Sequence, residues 1–188
     1  MNKQESKYFY TASLMDEALL LLLEKKDFEY ITVKELCQKA GVNRTTFYLH
    51  YQNMNELLEE TINELNKKFL DSFSKEMTIE KALNEDKVLT TSKYLVPYLN
   101  FIKDNKKAFK LASTKPLLFK SDKAFKKLNE NIFEPVLDRY GVKEDEKQYI
   151  LAFYVKGVFS IILKWLDNNC PDDVELIVNV IEKVTLVK

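Results

Sequence analysis

Apolar residues recur at helical spacing along almost the whole chain of 188 residues, and strict alternation of apolar and polar residues is nearly absent. The first predicted helix covers about residues 6–26, where Leu14, Ala18 and Leu22 share one face. The same periodicity predicts later helices at about residues 54–75, 89–103, 106–113, 119–140 (bent near Pro135), 144–169 and 172–187. The pattern therefore predicts an all-α fold.

The segment "ITVKELCQKAGVNRTTFYLHYQN", residues 31–53, predicts two short helices separated by a sharp turn. Thr32 stands at an N-cap position, and Glu35 three residues later completes a capping box. Gly41 follows the last apolar position, where a left-handed residue is least strained as glycine. Asn43 is placed to cap the second helix. This order of helix, glycine-containing turn and helix is a helix-turn-helix.

The second helix of this motif separates its residues by face. At about 100° per residue, Phe47 and Tyr51 point together and can be buried. The other side chains fan over an adjacent arc and its flank: Arg44, Thr45, Thr46, Tyr48, Leu49 and His50. Arginine can bind guanine through two hydrogen bonds, and hydroxyls can bind phosphates or base edges. The motif alone leaves a second interpretation open, in which two short helices cap a bundle and the arginine is merely solvated.

Composition narrows the possible classes of function. The three glycines and four prolines leave little room for the turns of a β-sandwich or barrel. Cys37 and Cys170 are far apart and there is one histidine, so we predict neither a metal site nor a cofactor. The chain opens without a signal peptide pattern, and "ALLLLLEKK" is too short to span a bilayer. We therefore expect a reduced, cytoplasmic protein with no membrane partner.

The longer stretch "ITVKELCQKAGVNRTTFYLHYQNMNELL" resembles the DNA-binding region of the TetR family of bacterial transcriptional regulators. The family's usual run is close to "T-x-x-x-I-A-x-x-A-G-V-S-x-x-T-x-Y-x-H-F-x-x-K-x-x-L". The residues that match it in register are Thr32, Leu36, Ala40, Gly41, Val42, Thr46, Tyr48, His50, Tyr51 and Leu57. With the preceding helix, the resemblance covers about residues 6–60. It implies a three-helix DNA-binding domain at 1–53 and a helical ligand-binding and dimerisation domain at 54–188, linked by the helix at about 54–75.

The resemblance also implies a role for each matching position. Thr32 and Lys34 would contact the phosphate backbone of double-stranded DNA, and Arg44 and Thr45 would face bases. The resemblance implies further phosphate contacts by Thr46, Tyr48 and His50. Asn43 and Leu49 complete the predicted DNA-binding set.

Two features depart from the family pattern. Met54 stands where the family commonly has lysine, so one phosphate contact is missing. Residues 1–52 carry seven basic and seven acidic residues, so the region is neutral. Both features predict modest, salt-sensitive affinity, or compensation from Lys3 and Lys7.

The last two predicted helices carry more apolar surface than one core requires. Between residues 150 and 166 nearly every residue outside one narrow stripe is apolar or glycine, which predicts burial on two sides. One interpretation is a pair of central helices in a monomeric bundle. The other, which the resemblance also implies, is a two-fold four-helix interface of a homodimer. The predicted interface residues are Gly157, Val158, Ile161, Trp165, Ile177, Ile181 and Val184.

Aromatic residues are abundant in the C-terminal half, and the resemblance implies a cavity there for a small-molecule effector. The predicted lining residues are Tyr98, Phe101, Phe109, Tyr154 and Trp165. No histidine lies outside the motif and no glycine-rich phosphate loop is present, so we predict that the protein is not an enzyme. A helical enzyme that uses the aromatic cavity is kept only as a rival hypothesis.

Together these features predict a homodimeric repressor that binds a pseudo-palindromic operator and responds to an effector. The alternative hypothesis is a relative that acts through protein partners and binds an operator weakly or not at all.

Overall fold

The computed structural model describes residues 3–74, 92–120, 123, 126 and 129–185, and within these ranges it contains helices, turns and no strand. The all-α prediction is therefore confirmed there. The α-helices are α1 (Lys3–Leu23), α2 (Val33–Ala40), α3 (Arg44–His50), α4 (Met54–Ser74), α5 (Ser92–Asp104), α6 (Lys106–Thr114), α7 (Glu134–Arg139), α8 (Glu144–Asp167) and α9 (Val174–Thr185). A 3₁₀ turn covers Phe28–Tyr30, and a π-helical turn covers Asn129–Phe133.

Most helix ends lie within a few residues of their predicted positions, but the predicted helix at about 119–140 does not form as one regular helix. Its described part contains turns up to residue 120, helical residues at 123 and 126, the π-helical turn and then α7. Pro135 is the second residue of α7, where its missing N–H and fixed φ do least harm. The expected irregularity near Pro135 is therefore a change of helix type. Gly141 follows α7 in the left-handed region, with φ of 65°.

The chain divides into two compact units, residues 1–65 and 66–188. Helix α4 contributes its first half to one unit and its second half to the other. The predicted domain boundary at residues 53 and 54 remains a prediction, and the weakly patterned stretch 75–86 lies outside the described residues.

The first unit has its core between α1, α2, α3 and the start of α4. Its fully buried side chains are Met15, Leu19, Leu23, Leu36, Phe47, Tyr51 and Leu57. One buried polar residue, Thr61 on α4, donates its hydroxyl to Asp16 on α1 at 2.6 Å. This bond satisfies a buried polar group and links the two longest helices of the unit.

The second unit has its core between α5, α8 and α9. Its buried residues are Leu95, Tyr98, Leu99, Ile102, Ile162, Trp165, Leu166, Cys170, Val174, Ile177, Val178 and Ile181. The Trp165 Nε1–H donates to the carbonyl oxygen of Asp172 at 3.1 Å, which satisfies the buried indole. The side chain of Glu182 accepts a hydrogen bond from the backbone N–H of Ser92 at 2.9 Å and so ties α9 to the start of α5.

This core contains three of the predicted dimer-interface residues. Trp165, Ile177 and Ile181 are buried in it within one protomer, and the interface itself stays a prediction. Of the other predicted residues, Val158 and Ile161 are half-buried, while the remaining two are exposed: Gly157 and Val184. The apolar pattern of α8 and α9 indicates surplus apolar surface. It does not show which side of each helix packs in the protomer's own core.

The same core includes or adjoins several residues of the predicted effector pocket, which itself stays a prediction. Rings of Phe101 and Phe109 contact the Phe69 ring, with centroids 6.2 and 5.3 Å away, and Tyr98 does so at 5.5 Å. Tyr98 and Trp165 both belong to the buried α5–α8–α9 core. Tyr154, the fifth predicted lining residue, is more than one-third exposed, and its ring makes an edge-to-face contact with Phe153. Three of the five predicted lining residues therefore form one aromatic cluster, which includes Phe69.

Helix α8 is long and apolar enough, by length and composition, to cross a membrane, and 17% of its most apolar window is buried in this structure. One such helix is weak evidence for a membrane span, because the core helix of a soluble protein passes the same test. The finding does show that much of its apolar surface is uncovered in a single protomer.

The turn between α2 and α3 generates the first testable prediction. Gly41 has φ of 70° and ψ of 26°, and a β-carbon there would meet no atom within 4 Å. The cost of a side chain is therefore conformational: Gly41→Ala should reduce the free energy of unfolding of the first unit by about 1–2 kcal/mol. Gly41→Val should cost more and abolish DNA binding, whereas Gly41→Asn should cost least, because asparagine tolerates this region. Denaturant unfolding of the three variants checks the order, and equal stability of all three would contradict it.

Candidate nucleic-acid interface

The start of α2 is fixed by an observed capping box, as predicted. The Thr32 hydroxyl accepts from the Glu35 backbone N–H at 3.3 Å and donates to Glu35 Oε2 at 2.9 Å, while the Thr32 N–H donates to the same carboxylate. Lys26 Nζ donates to Glu35 Oε1 at 2.6 Å and to the carbonyl oxygen of Tyr30 at 2.9 Å. These bonds hold the pKa of Glu35 at about 2, with the Lys26 hydrogen bond the largest cause. A phosphate contact by the Thr32 hydroxyl would have to replace its bond to Glu35.

The position of α3 is fixed at both ends. At its start Asn43 Oδ1 accepts from the Thr46 backbone N–H at 2.6 Å and from the Thr46 hydroxyl at 2.9 Å. On its inner face Phe47 and Tyr51 are buried, with ring centroids 5.8 Å apart. The Tyr51 hydroxyl lies 3.4 Å from Glu60 Oε1 on α4. Capping and burial together determine which side of α3 faces outwards.

The outward side of α3 is the arc that the sequence predicts. Arg44 and Thr45 are exposed at its start, and Tyr48 and Leu49 are 52% and 76% exposed. The Tyr48 side chain lies beside the Arg44 guanidinium and raises the pKa of Arg44, so this group stays charged. Lys34 on α2 is also exposed. The arc thus presents a cation, hydroxyls and an apolar side chain to solvent.

His50, the last residue of α3, has an environment that the sequence does not reveal. Its ring stacks on Tyr8 of α1 with centroids 4.0 Å apart and an interplanar angle of 19°. Its Nδ1 is buried and has no hydrogen-bond partner among the described residues. Burial lowers the pKa of His50 from its ordinary 6.5, so the imidazole is mostly neutral at pH 7. The signal that could have suggested Tyr8 is the aromatic run "YFY" at residues 8–10.

The structure also shows the surroundings of residues at which the sequence departs from the family pattern. Met54 begins α4 and is half-buried, so the position offers packing rather than a phosphate contact. Lys7 is exposed on α1. Cys37 is buried and desolvation raises its pKa, so it packs as a small apolar residue. No group of three or more metal-ligating side chains is found among the described residues.

The fold and this arc define a helix-turn-helix protein, and comparison with known families agrees. Residues 17–61 match the family described as "Bacterial regulatory proteins, tetR family", and residues 89–186 match a "Transcriptional regulator C-terminal region" of the TetR type. The chain belongs to the TetR family of bacterial transcriptional regulators. Its members are regulators rather than enzymes, and the helix-turn-helix is their DNA-binding element.

Comparison with individual proteins gives one relative by sequence and one solved structure with the same fold. An uncharacterised helix-turn-helix transcriptional regulator, YxbF of Bacillus subtilis (strain 168), is 27% identical over 172 residues. The match covers 86% of this chain, but only 41% of the relative's length. The structure of the fatty acid degradation regulator FadR from Bacillus halodurans shares the fold, with a TM-score of 0.63 at 15% identity, covering 93% of this chain and 94% of the other.

The Lys26–Glu35–Thr32 cluster predicts a specific pH dependence of stability. Because the folded pKa of Glu35, about 2, lies below its ordinary 4.5, the cluster stabilises the unit fully above pH 4.5. That contribution is lost as the pH falls from 4.5 towards 2. Glu35→Gln should therefore lower the melting temperature most near neutral pH, and the difference from the unmodified protein should shrink towards pH 2. Thermal unfolding followed by circular dichroism checks this, with Glu29→Gln on the preceding turn as control. A pH-independent difference would contradict it.

Proposed function

We propose that this protein is an effector-responsive repressor in the cytoplasm that binds a pseudo-palindromic operator as a homodimer through α3. The observation that carries the proposal is the exposed arc of α3, which is held outwards by the buried Phe47 and Tyr51 on the opposite face. An exposed helix of this composition fits the major groove, which admits an α-helix.

Within this arc we assign base contacts to Arg44 and Thr45. Both lie in the first turn of α3, and recognition helices contact base edges with their N-terminal residues. The exposed Leu49 can contact a thymine methyl group. Tyr48 lies beside Arg44 and can orient the guanidinium while its hydroxyl reaches a phosphate.

Phosphate contacts are assigned to Lys34, Tyr48 and His50, with Thr46 as a weaker candidate. The Thr46 hydroxyl already donates to Asn43, so it can offer a phosphate its proton only by giving up that bond. The same limit applies to Thr32. These two threonines support the interface chiefly by fixing helix ends, and Asn43 acts in the same way.

The proposed dimer rests on apolar surface that the protomer leaves exposed. On α9, Leu176, Val180 and Val184 follow each other at four-residue spacing and are all exposed. On α8, Tyr149 and Phe153 share a spacing of four and are 72% and 70% exposed. Surfaces of this kind mark protein interfaces, and a two-fold axis would use the same patch twice.

A protein partner suits this surface better than a bilayer does. Lys156 lies in the middle of α8 and is exposed. A lysine at the centre of a membrane-spanning helix costs about 2.5–3.5 kcal/mol on insertion scales. At the edge of a dimer interface the same ammonium group can reach water.

The effector is proposed to bind in the second unit, near the cluster formed by Phe69, Tyr98, Phe101 and Phe109. Aromatic rings with a polar tip suit a small-molecule site, and burial raises the pKa of the Tyr98 phenol, so its hydroxyl stays protonated. An effector that binds one arrangement of the dimer better would shift the population between DNA-competent and incompetent states. FadR is described as regulating fatty acid degradation, but 15% identity transfers only its fold.

The alternative function, a co-regulator that works through protein partners, is supported by Met54 and by the equal numbers of acidic and basic residues in 1–52. The two functions differ in one measurable respect. A repressor enriches a sequence-specific duplex from a random DNA library, whereas a co-regulator enriches none.

Variants of α3 test the assignment of contacts. Arg44→Ala should weaken binding to the enriched duplex by about 1–3 kcal/mol and relax preference at one base pair. Arg44→Lys keeps the charge but not the two parallel hydrogen bonds, so it should retain affinity for scrambled DNA while losing preference. Tyr48→Phe should weaken binding to enriched and scrambled duplexes alike. Fluorescence anisotropy over a salt series measures all three. If Arg44→Ala lost the same affinity for both duplexes, Arg44 would be a phosphate contact.

The dimer is tested by charges placed on the exposed patch. Val180→Glu or Phe153→Glu should yield a folded monomer with strongly reduced affinity for the full operator, because the carboxylate would be buried unpaired between protomers. The unmodified dimer should favour half-sites about 34–36 Å apart or somewhat more.

Sedimentation and circular dichroism separate assembly from folding. Ile177→Glu serves as the contrasting variant: its side chain is in the protomer's own core, so it should unfold the second unit itself. Glu175→Gln on the exposed side of α9 should change neither the oligomeric state nor the folding of the second unit. An unmodified protein that stays monomeric at micromolar concentration and still binds one half-site tightly would exclude the dimer.

A further inference from the structure

The stacked rings of Tyr8 and His50 join the start of α1 to the end of α3. Their centroids are 4.0 Å apart and their planes are nearly parallel, at 19°. Tyr8 is 45% exposed, so it lies at the surface rather than in the core. A long helix thus supplies one aromatic ring to the last residue of the seven-residue recognition helix.

The surroundings of His50 favour one tautomer. Nδ1 is buried without a hydrogen-bond partner among the described residues, so a proton there would be an unsatisfied buried donor. With the proton on Nε2, Nδ1 is instead an unpaired acceptor, and folded proteins tolerate an orphaned acceptor somewhat better than an orphaned N–H donor. Nε2–H is then the one donor that the imidazole can offer to another molecule.

Three neighbours face the imidazole from the elements packed around it. Tyr8 on α1 stacks on it, the Tyr51 ring lies 5.9 Å away, and Glu60 on α4 is the charged group that acts on it. The negative charge of Glu60 favours the imidazolium, but desolvation outweighs it. The ring is therefore held neutral, in one orientation, at the edge of the recognition arc.

We propose that Tyr8 is a positioning residue for DNA binding, whose ring fixes the His50 imidazole in the rotamer that presents Nε2–H to a DNA phosphate. This inference rests on the proposed function of α3. Tyr8 acts through His50 and needs no contact of its own with DNA. Without the stack, the imidazole would have to lose rotational freedom when DNA binds, and the affinity would fall accordingly.

The stack can be tested without DNA, because His50 is the chain's single histidine and gives one imidazole signal in an NMR titration of untagged protein. In the unmodified protein the midpoint should lie below 6.5. Tyr8→Phe keeps the ring and should keep the midpoint, whereas Tyr8→Ala should move it towards 6.5 because the ring becomes solvated. Tyr10→Ala removes a more exposed aromatic ring two residues along α1; it is the control and should leave the midpoint unchanged.

Binding is measured by anisotropy with the duplex that the unmodified full-length protein enriches from a random library. Tyr8→Ala should weaken it about two- to tenfold, the range for one hydrogen bond, while Tyr8→Phe and Tyr10→Ala bind normally. In a His50→Ala background Tyr8→Ala should have no further effect, because the two side chains act as one unit. Thermal unfolding of each variant shows whether the first unit remains folded.

Each other result overturns the proposal in a different way. If Tyr8→Ala weakened binding as much in the His50→Ala background as in the unmodified protein, Tyr8 would contact DNA directly. Weaker binding by Tyr8→Phe would assign that contact to the Tyr8 hydroxyl. Normal binding by Tyr8→Ala, or an unchanged histidine midpoint, would show that the stack positions nothing. If the unmodified protein enriches no duplex, the proposed function itself fails, and this inference with it, whatever the histidine titration shows.

Discussion

The second helix of the motif, α3, depends on two buried aromatic side chains, Phe47 within the helix and Tyr51 immediately after it. A helix this short is not stable alone in water, since forming the first turn costs more than its few hydrogen bonds return. Phe47 and Tyr51 anchor α3 on a core supplied by α1, α2 and α4. Their burial also determines the outward arc that begins at Arg44. The DNA-reading surface is therefore a consequence of packing on the opposite side of the same helix.

Polar groups in the helix-turn-helix are largely committed to maintaining its shape. The hydroxyls of Thr32 and Thr46 donate to the capping side chains of Glu35 and Asn43. The family resemblance assigns DNA contacts to these two threonines from their positions alone. Their hydroxyl protons are already donated to acceptors within the protein. The exposed cations and Tyr48 are under no such restriction. This separates residues that build the interface from those that can contact DNA.

The second unit follows a different constraint, a surplus of apolar surface. One face of α8 and α9 packs against α5 and includes Trp165, Ile177 and Ile181. The stripe of Leu176, Val180 and Val184 on α9 stays exposed in a single protomer. Exposed apolar surface of this kind is typical of interfaces between proteins.

What the sequence alone determined was local. Helical periodicity predicted the all-α fold, and short-range chemistry placed the capping box at Thr32, the left-handed turn at Gly41 and the outward arc of α3. Each depends on residues within a few positions of one another, so backbone geometry suffices. The irregular segment before α7 was not predicted because a π-helical turn of five residues is too short to show a periodicity of its own.

Only the tertiary structure decided which partner each face meets. A helical wheel showed that α8 and α9 were apolar on two sides, but it gave Trp165 to the partner although α5 covers it. Likewise, Tyr8 and His50 are 42 positions apart in sequence, and no periodicity pairs them. Contacts between distant segments depend on how whole helices pack, and that information is shared by all the core residues together rather than carried by any short pattern.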